Sequence, residues 1–387
     1  MLLDKYAAPT KPNRIIESSN KSEAPIHKPV LKVLGLGGGG SNAVDRMLEL
    51  GIEGVEFIIA NTDRQALEQS YAQHKIQLGP KLTRGLGAGG DPQVGQAAAQ
   101  ESWKEIEKAL AGADMVFLTA GMGGGTGTGS IPIAAKIARS QGAVTIAIVT
   151  TPFSFEMGAR QKNAANGLAL LRKNTDTLIA IPNDRLLYVA PKDLPLDTAF
   201  RLADDVLRQA VQAITELITI PGLINVDFAH IRRLMQLGGG ALMAIGNGEG
   251  ENKALSAVKQ ALNHPLLESI SIDRAAGIIA SFNAGDDLAL SDVSDALNYL
   301  QEQTYPETEI ILGATQKPEQ NGQVQVILVV TGIGAPSLED ILPGSERYAV
   351  QSDSLVKRNI FDNLPTREQP STIDKANLDL PAFLRRR

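Results

Sequence analysis

The stretch Gly121-Met122-Gly123-Gly124-Gly125-Thr126-Gly127-Thr128-Gly129 decides how this chain folds. It follows an apolar run at residues 115–119 that reads as a buried strand, and it leads into a helical segment at 131–139. Glycines at this density let backbone approach a ligand closely, and a helix N-terminus presents free N–H groups, so the segment predicts an anion site. Thr126 and Thr128 add hydroxyl donors.

A second glycine turn lies upstream. Gly35-Leu36-Gly37-Gly38-Gly39-Gly40, continued by Ser41 and Asn42, joins a strand at 30–34 to a helix at 43–50. It satisfies G-x-G-x-x-G, which fits a dinucleotide site with Asp63, after the strand at 55–60, as ribose partner. A tight turn without ligand is the lesser alternative. It is not a P-loop, because no G-x-x-x-x-G-K-[ST] occurs. A dinucleotide has no use for the second loop, whereas a nucleoside triphosphate has more oxygens to satisfy. Gly87-Ala88-Gly89-Gly90 offers a third patch for a terminal phosphate.

Outward from these turns, strands and helices alternate. A helix is predicted at 96–111 and strands at 144–150 and 178–181, which implies βαβ units, a mostly parallel sheet, and ligands at the carboxyl ends of the strands. Residues 196–219 read as one long helix, with Asp197 as N-cap and Pro221-Gly222 as stop. Its apolar positions, Phe200 and Leu207 among them, wrap most of the circumference, which predicts a buried helix running between two domains. Beyond it, helices at 253–262 and 291–303 mix with strands at 277–282, 309–314 and 324–330, giving an α+β texture. Residues 1–28 read as a flexible polar tail without the apolar core of a signal peptide, and 336–375 as a disordered linker.

Composition narrows the function. The 387 residues contain no cysteine, which excludes disulfides, cysteine-ligated zinc and thiol catalysis. Four scattered histidines speak against a histidine metal site. A net charge of -6 speaks against nucleic-acid binding. No apolar run approaches the roughly 18 residues of a membrane span, so a cytosolic protein is expected, with no direct membrane insertion.

The glycine loop GGGTGTG is the tubulin-type signature, and with other ordered motifs the chain resembles the FtsZ family of bacterial tubulin-like cell-division GTPases. The further marks are Asn61-Thr62-Asp63, Gly85-Leu86-Gly87-Ala88-Gly89, the segment from Thr151 to Glu156, Ile181-Pro182-Asn183-Asp184, Ala203-Asp204-Asp205 and the segment from Gly222 to Ala229. The likeness runs from about residue 31 to 334 and returns in the last ten residues. It implies an α/β fold: a tubulin-like GTPase domain at 29–195 with a mostly parallel sheet, a long central helix at 196–220, and a second α+β domain at 221–335.

The resemblance also assigns residues. Gly37, Gly38, Gly39, Gly40, Ser41 and Asn42, with Gly125, Thr126, Gly127 and Thr128, would hold the phosphates of GTP or GDP. Ala88 and Gly89 would lie by the γ-phosphate. Glu156 and Arg160 would contact the ribose side; read by themselves they are an i,i+4 surface pair. Asn183 and Asp204 would read guanine, a carboxylate accepting from N1 and N2 being apt and rejecting adenine. Mg²⁺ would be held mainly by phosphates and water, with no metal-ligating side chains.

Hydrolysis in this family is completed by the next subunit of a head-to-tail filament. The loop here is Asn225 to His230, with Asn225, Asp227 and His230 as catalytic candidates, although by itself Asp227 reads as a helix-capping residue. His230 departs from the pattern, which places a second acidic residue there, so slower turnover or a different pH dependence is expected. Residues 376–387 form the expected partner-binding peptide. Leu378, Leu380, Pro381, Phe383, Leu384 and Arg385 would dock in the grooves of membrane-tethering and regulatory division proteins, holding the filament at the division site.

Overall fold

The computed structural model describes residues 28–333, apart from 157, 189–192, 221, 225, 239, 265–266, 268–271 and 274. The N-terminal tail, the linker and the C-terminal peptide, with Asn225, lie outside the described residues.

The first half alternates strand and helix as expected. β1 (Leu31–Leu36) runs into α1 (Gly37–Glu49), then β2 (Val55–Asn61), α2 (Arg64–Gln69), β3 (His74–Gln77), α3 (Pro80–Thr83), α4 (Pro92–Glu101) and α5 (Trp103–Leu110). β4 (Met115–Gly121), α6 (Thr126–Ser140), β5 (Val144–Thr151), α7 (Ala159–Arg172), β6 (Thr177–Pro182) and α8 (Asn183–Leu186) follow. α9 (Leu196–Thr219) is the long helix. Next come α10 (Phe228–Gln236), β7 (Gly240–Glu249), α11 (Lys253–Leu262), β8 (Gly277–Ala284), α12 (Leu290–Glu302), β9 (Glu309–Gln316) and β10 (Gln323–Ile333).

All ten strands form one sheet in the order β3-β2-β1-β4-β5-β6-β7-β10-β8-β9. β1 to β6 are parallel, so their carboxyl ends and the following turns gather on one rim. β7 joins β6 through two register pairs only, Leu178↔Gly240 and Ile179↔Ala241. β10 then runs antiparallel between β7 and β8. β1, β5 and β6 are buried along their whole length, which explains their unbroken apolar runs. Phe117 on β4 is fully buried between these layers.

Several details differ from the pattern reading. The helix expected at 96–111 is two helices broken at Ser102. Its hydroxyl accepts from the Gly79 amide at 3.0 Å and donates to the Gln77 carbonyl at 3.2 Å, local bonds that compete with helix continuation. Asp197 does not cap α9: the helix starts at Leu196 as expected, the N-cap position is Pro195, and Asp197, inside the first turn, pairs with Arg201 at 2.9 Å. α7 escaped the pattern because Asn163, Asn166 and Gly167 interrupt its apolar stripe. Gly167 is small because the Thr128 methyl and Met122 occupy the space a Cβ would need.

The burial expected of α9 is present, with a polar complement. From Ala203 to Thr219 no residue is exposed. Asp205, Arg208, Gln209, Gln212 and Glu216 satisfy one another along one stripe, and Glu216 also pairs with Lys317 at 3.0 Å. Phe200, read as part of the buried set, is instead 39% exposed.

Candidate functional site

The parallel rim holds a cleft of about 380 Å³ whose floor is built by both glycine turns. Gly37 to Gly40 are the first turn of α1 rather than a loop before it. Gly37 sits at φ +69°, and a Cβ there would meet the Gly127 backbone nitrogen at 2.7 Å, so the two turns are in van der Waals contact. Gly38, Gly39 and Asn42 line the cleft from one side, and Gly124, Gly125, Thr126 and Gly127 from the other. Gly40 and Ser41 are buried behind this floor.

Neither helix supplies its own cap. α1 follows Leu36 and α6 follows Gly125, with no side-chain cap and no acidic residue in either first turn. Both therefore end in free N–H groups and a positive dipole end, which is what an anion needs. Thr128 turns away from the ligand space. Its buried Oγ1 accepts from the Gly123 amide at 2.8 Å and shapes the loop, while Thr126 faces the cleft. Gly129 packs a helix, since a Cβ there would collide with the Pro92 carbonyl on α4.

The loop at 85–90 borders this floor. A Cβ at Gly125 would stand 2.9 Å from the Cβ of Ala88, and Gly89 has φ +59°. Asp63 is not free for a ribose. Its carboxylate caps α2, accepting from Gln65 at 2.9 Å and Ala66 at 3.4 Å, which removes the residue expected of a dinucleotide site.

The far end of the cleft is lined by Glu156, Arg160, Asn183, Phe200, Ala203 and Asp204. Glu156 and Arg160 form the i,i+4 ion pair and line the cleft as well, and Glu156 also accepts from the Phe153 amide at 2.9 Å. Asn183 opens α8 and is buried, its Oδ1 without a partner. Burial pushes the Asp204 carboxyl up to about 7, and no hydrogen bond from a described residue reaches it. Asn183 Oδ1, buried without a hydrogen bond from a described residue, and the half-buried Asp204 carboxyl beside it are acceptors that a ligand's donors would satisfy. Phe200, edge-on to Phe153 at 5.5 Å, offers a ring face at the same end. Its lone aromatic position on the helix face turned to the strand ends was the available sequence signal.

The loop after α9 is elsewhere. Leu223 donates to the Ala314 carbonyl at 2.9 Å and Ile224 bridges Ala314, so it is docked on β9. Asp227 caps α10, its Oδ1 accepting from Ala229 at 3.0 Å, and His230 lies exposed in the first turn. Along α9 from Asp204 to Thr219, a rise of about 1.5 Å per residue gives about 22 Å.

A mixed sheet with an anion cleft at its parallel rim, closed by a long helix, defines the tubulin-like GTPase class, and the profile of the Tubulin/FtsZ family GTPase domain matches residues 30–191. The profile of the FtsZ family C-terminal domain matches residues 239–334. Among solved structures, an empty FtsZ dimer from M. jannaschii is 44% identical, covering 81% of this chain and 92% of that one, with a TM-score of 0.78. A mutant of FtsZ from M. jannaschii is 45% identical, covering 79% and 92%, with a TM-score of 0.76. CetZ2 from Haloferax volcanii, in a GTPγS-bound protofilament, shares the fold at 18% identity, covering 82% and 98%, with a TM-score of 0.70. The chain belongs to the FtsZ family.

Proposed function

We propose that this chain binds GTP in the rim cleft and hydrolyses it to GDP and phosphate when a second copy docks head-to-tail. The observation that carries this reading is the separation of the cleft from the Asp227–His230 loop by the length of α9, about 22 Å by helix rise. One chain keeps the two apart, and a translated neighbour would supply the loop. A contact between different faces of identical subunits is heterologous and propagates into an open filament. The FtsZ relative in dimer form is consistent with self-association.

In this reading the helix ends at Gly37 to Asn42 and Gly125 to Gly127 take the phosphates, Thr128 shaping the loop from behind, and Ala88 and Gly89 lie beside the last one. Glu156 and Arg160 meet the ribose. Asn183 and Asp204 take the guanine donors, against the ring of Phe200. Asp227 and His230, with Asn225, orient the water in line with the γ-phosphorus, and positioning does most of the work in such a transfer. Mg²⁺ would neutralise charge on the β- and γ-phosphates. The carboxylates lining the cleft, Glu156 and Asp204, sit at its ribose and base end, so phosphates and water would supply the metal's ligands.

Residues 29–195 and 221–335 would form two domains about the central helix at 196–220. The filament would build the septal ring at the inner face of the membrane, tethered through residues 376–387 by partner proteins. Among the described residues no helix is long and apolar enough to cross a membrane.

GTP turnover measured against protein concentration, with light scattering, tests the proposal. A joint onset of scattering and phosphate release above a critical concentration is expected. Turnover strictly proportional to concentration, without scattering, would overturn it. Scattering without phosphate release would mark a polymer in which His230 has removed the hydrolytic step.

A further inference from the structure

Thr62 is fully buried at the end of β2, and its hydroxyl lies 2.6 Å from the Thr126 hydroxyl. Its carbonyl accepts from the Gly87 amide at 3.3 Å and from the Thr83 hydroxyl at 3.3 Å. Thr62 therefore touches both the loop at 85–90 and the first residue of α6. The direction of the hydroxyl bond follows from burial. Each hydroxyl has one proton. Among the described residues Thr126 is the sole partner of the Thr62 hydroxyl, so its proton is satisfied only by donating to Thr126. Thr126 is half-buried and lines the cleft, and its own proton is left to point at whatever occupies it.

We propose that Thr62 is a positioning residue that fixes the Thr126 hydroxyl as a donor to a phosphate oxygen of the bound nucleotide. The inference rests on the nucleotide reading of the cleft. Accepting one bond makes a hydroxyl a stronger donor, and a rotor fixed before binding has no freedom left to lose. Through its carbonyl the same residue holds the 85–90 loop in register with that donor.

The test is a double-mutant cycle on GTPγS binding by the full chain, with Thr62→Val, Thr126→Val, the double variant and Thr62→Ser, and guanosine as the phosphate-free control. Thr62→Val and Thr126→Val should each weaken GTPγS binding by about ten- to 150-fold, the range of a hydrogen bond to a charged group. The double variant should be no weaker than either single one. Thr62→Ser should restore binding, and guanosine binding should be unchanged throughout. Additive losses, or equal losses with guanosine, would overturn the proposal and mark Thr62 as a packing residue. Thermal melting of each variant separates a folding defect from a binding one. Failure of the unmutated chain to bind GTPγS would instead overturn the nucleotide reading.

Discussion

If guanine seats on Asp204 as proposed, its binding should release a proton. Burial raises the Asp204 carboxyl from 3.8 to about 7, so in the empty cleft it is about half-protonated at neutrality and largely protonated a unit below. N1 and N2 of guanine donate, and only the carboxylate accepts from both, so bound nucleotide holds the group ionised. The folded value lies above the unfolded one. The empty protein therefore loses stability as pH rises from about 4 to about 7, and above that window the loss is complete. At about 1.4 kcal/mol per pH unit, the climb is worth about 4 kcal/mol, which the guanine donors offset. Nucleotide affinity should accordingly rise up to about tenfold per pH unit below 7 and level off above it. Calorimetric titration with GDP in buffers of different ionisation enthalpy reads the proton directly. About 0.9 proton should leave Asp204 on binding at pH 6 and about 0.1 at pH 8. The β-phosphate's own titration is subtracted by repeating the measurement on Asp204→Asn, which leaves both glycine turns intact. Equal proton release by the two proteins at pH 6 would refute the reasoning.

Three further outcomes are expected. Replacing His230 by Asp should raise GTP turnover and alter its pH profile without changing nucleotide affinity in dilute monomer; an unchanged rate and profile counts against its place in the neighbour's site. Asp227→Ala should abolish assembly-dependent phosphate release while keeping GDP binding, and loss of its cap should cost about 1 kcal/mol in urea unfolding; turnover at the wild-type rate would remove Asp227 from the mechanism. Gly129→Ala should destabilise the fold by about 1–3 kcal/mol, because its methyl meets the Pro92 backbone; a melting temperature equal to wild type would show that α4 and α6 separate freely.

The first half of the fold was legible because its strands are buried on both faces and its turns are marked by glycine. What escaped was whatever tertiary context decides. Ser102 is an ordinary helix residue until the Gly79 amide and Gln77 carbonyl compete for its hydroxyl. α7 carries too little apolar periodicity to announce itself, and its Gly167 makes sense only against Thr128. In the site, the glycines pointed to the cleft floor, but the sequence did not separate those that line the cleft from Gly129, which seats a helix. Asp204 and Asn183 are polar letters among many, and the buried, unpartnered Oδ1 of Asn183 and the raised carboxyl of Asp204 appear only in three dimensions. Asp63 and Asp227, both candidates on paper, share one local geometry, each capping the helix that follows it.

The missing caps of α1 and α6 carry a consequence for the life of the empty chain. Two helices that open without side-chain caps would, in the proposed reading, be finished by the ligand, which would make the nucleotide a component of the fold as well as its cargo. Ligand at a hundred times its dissociation constant adds about 2.7 kcal/mol to the folded state. The lifetime of the chain against unfolding and proteolysis then tracks the free nucleotide concentration, and a fall in that pool thins the protein itself before it slows any reaction.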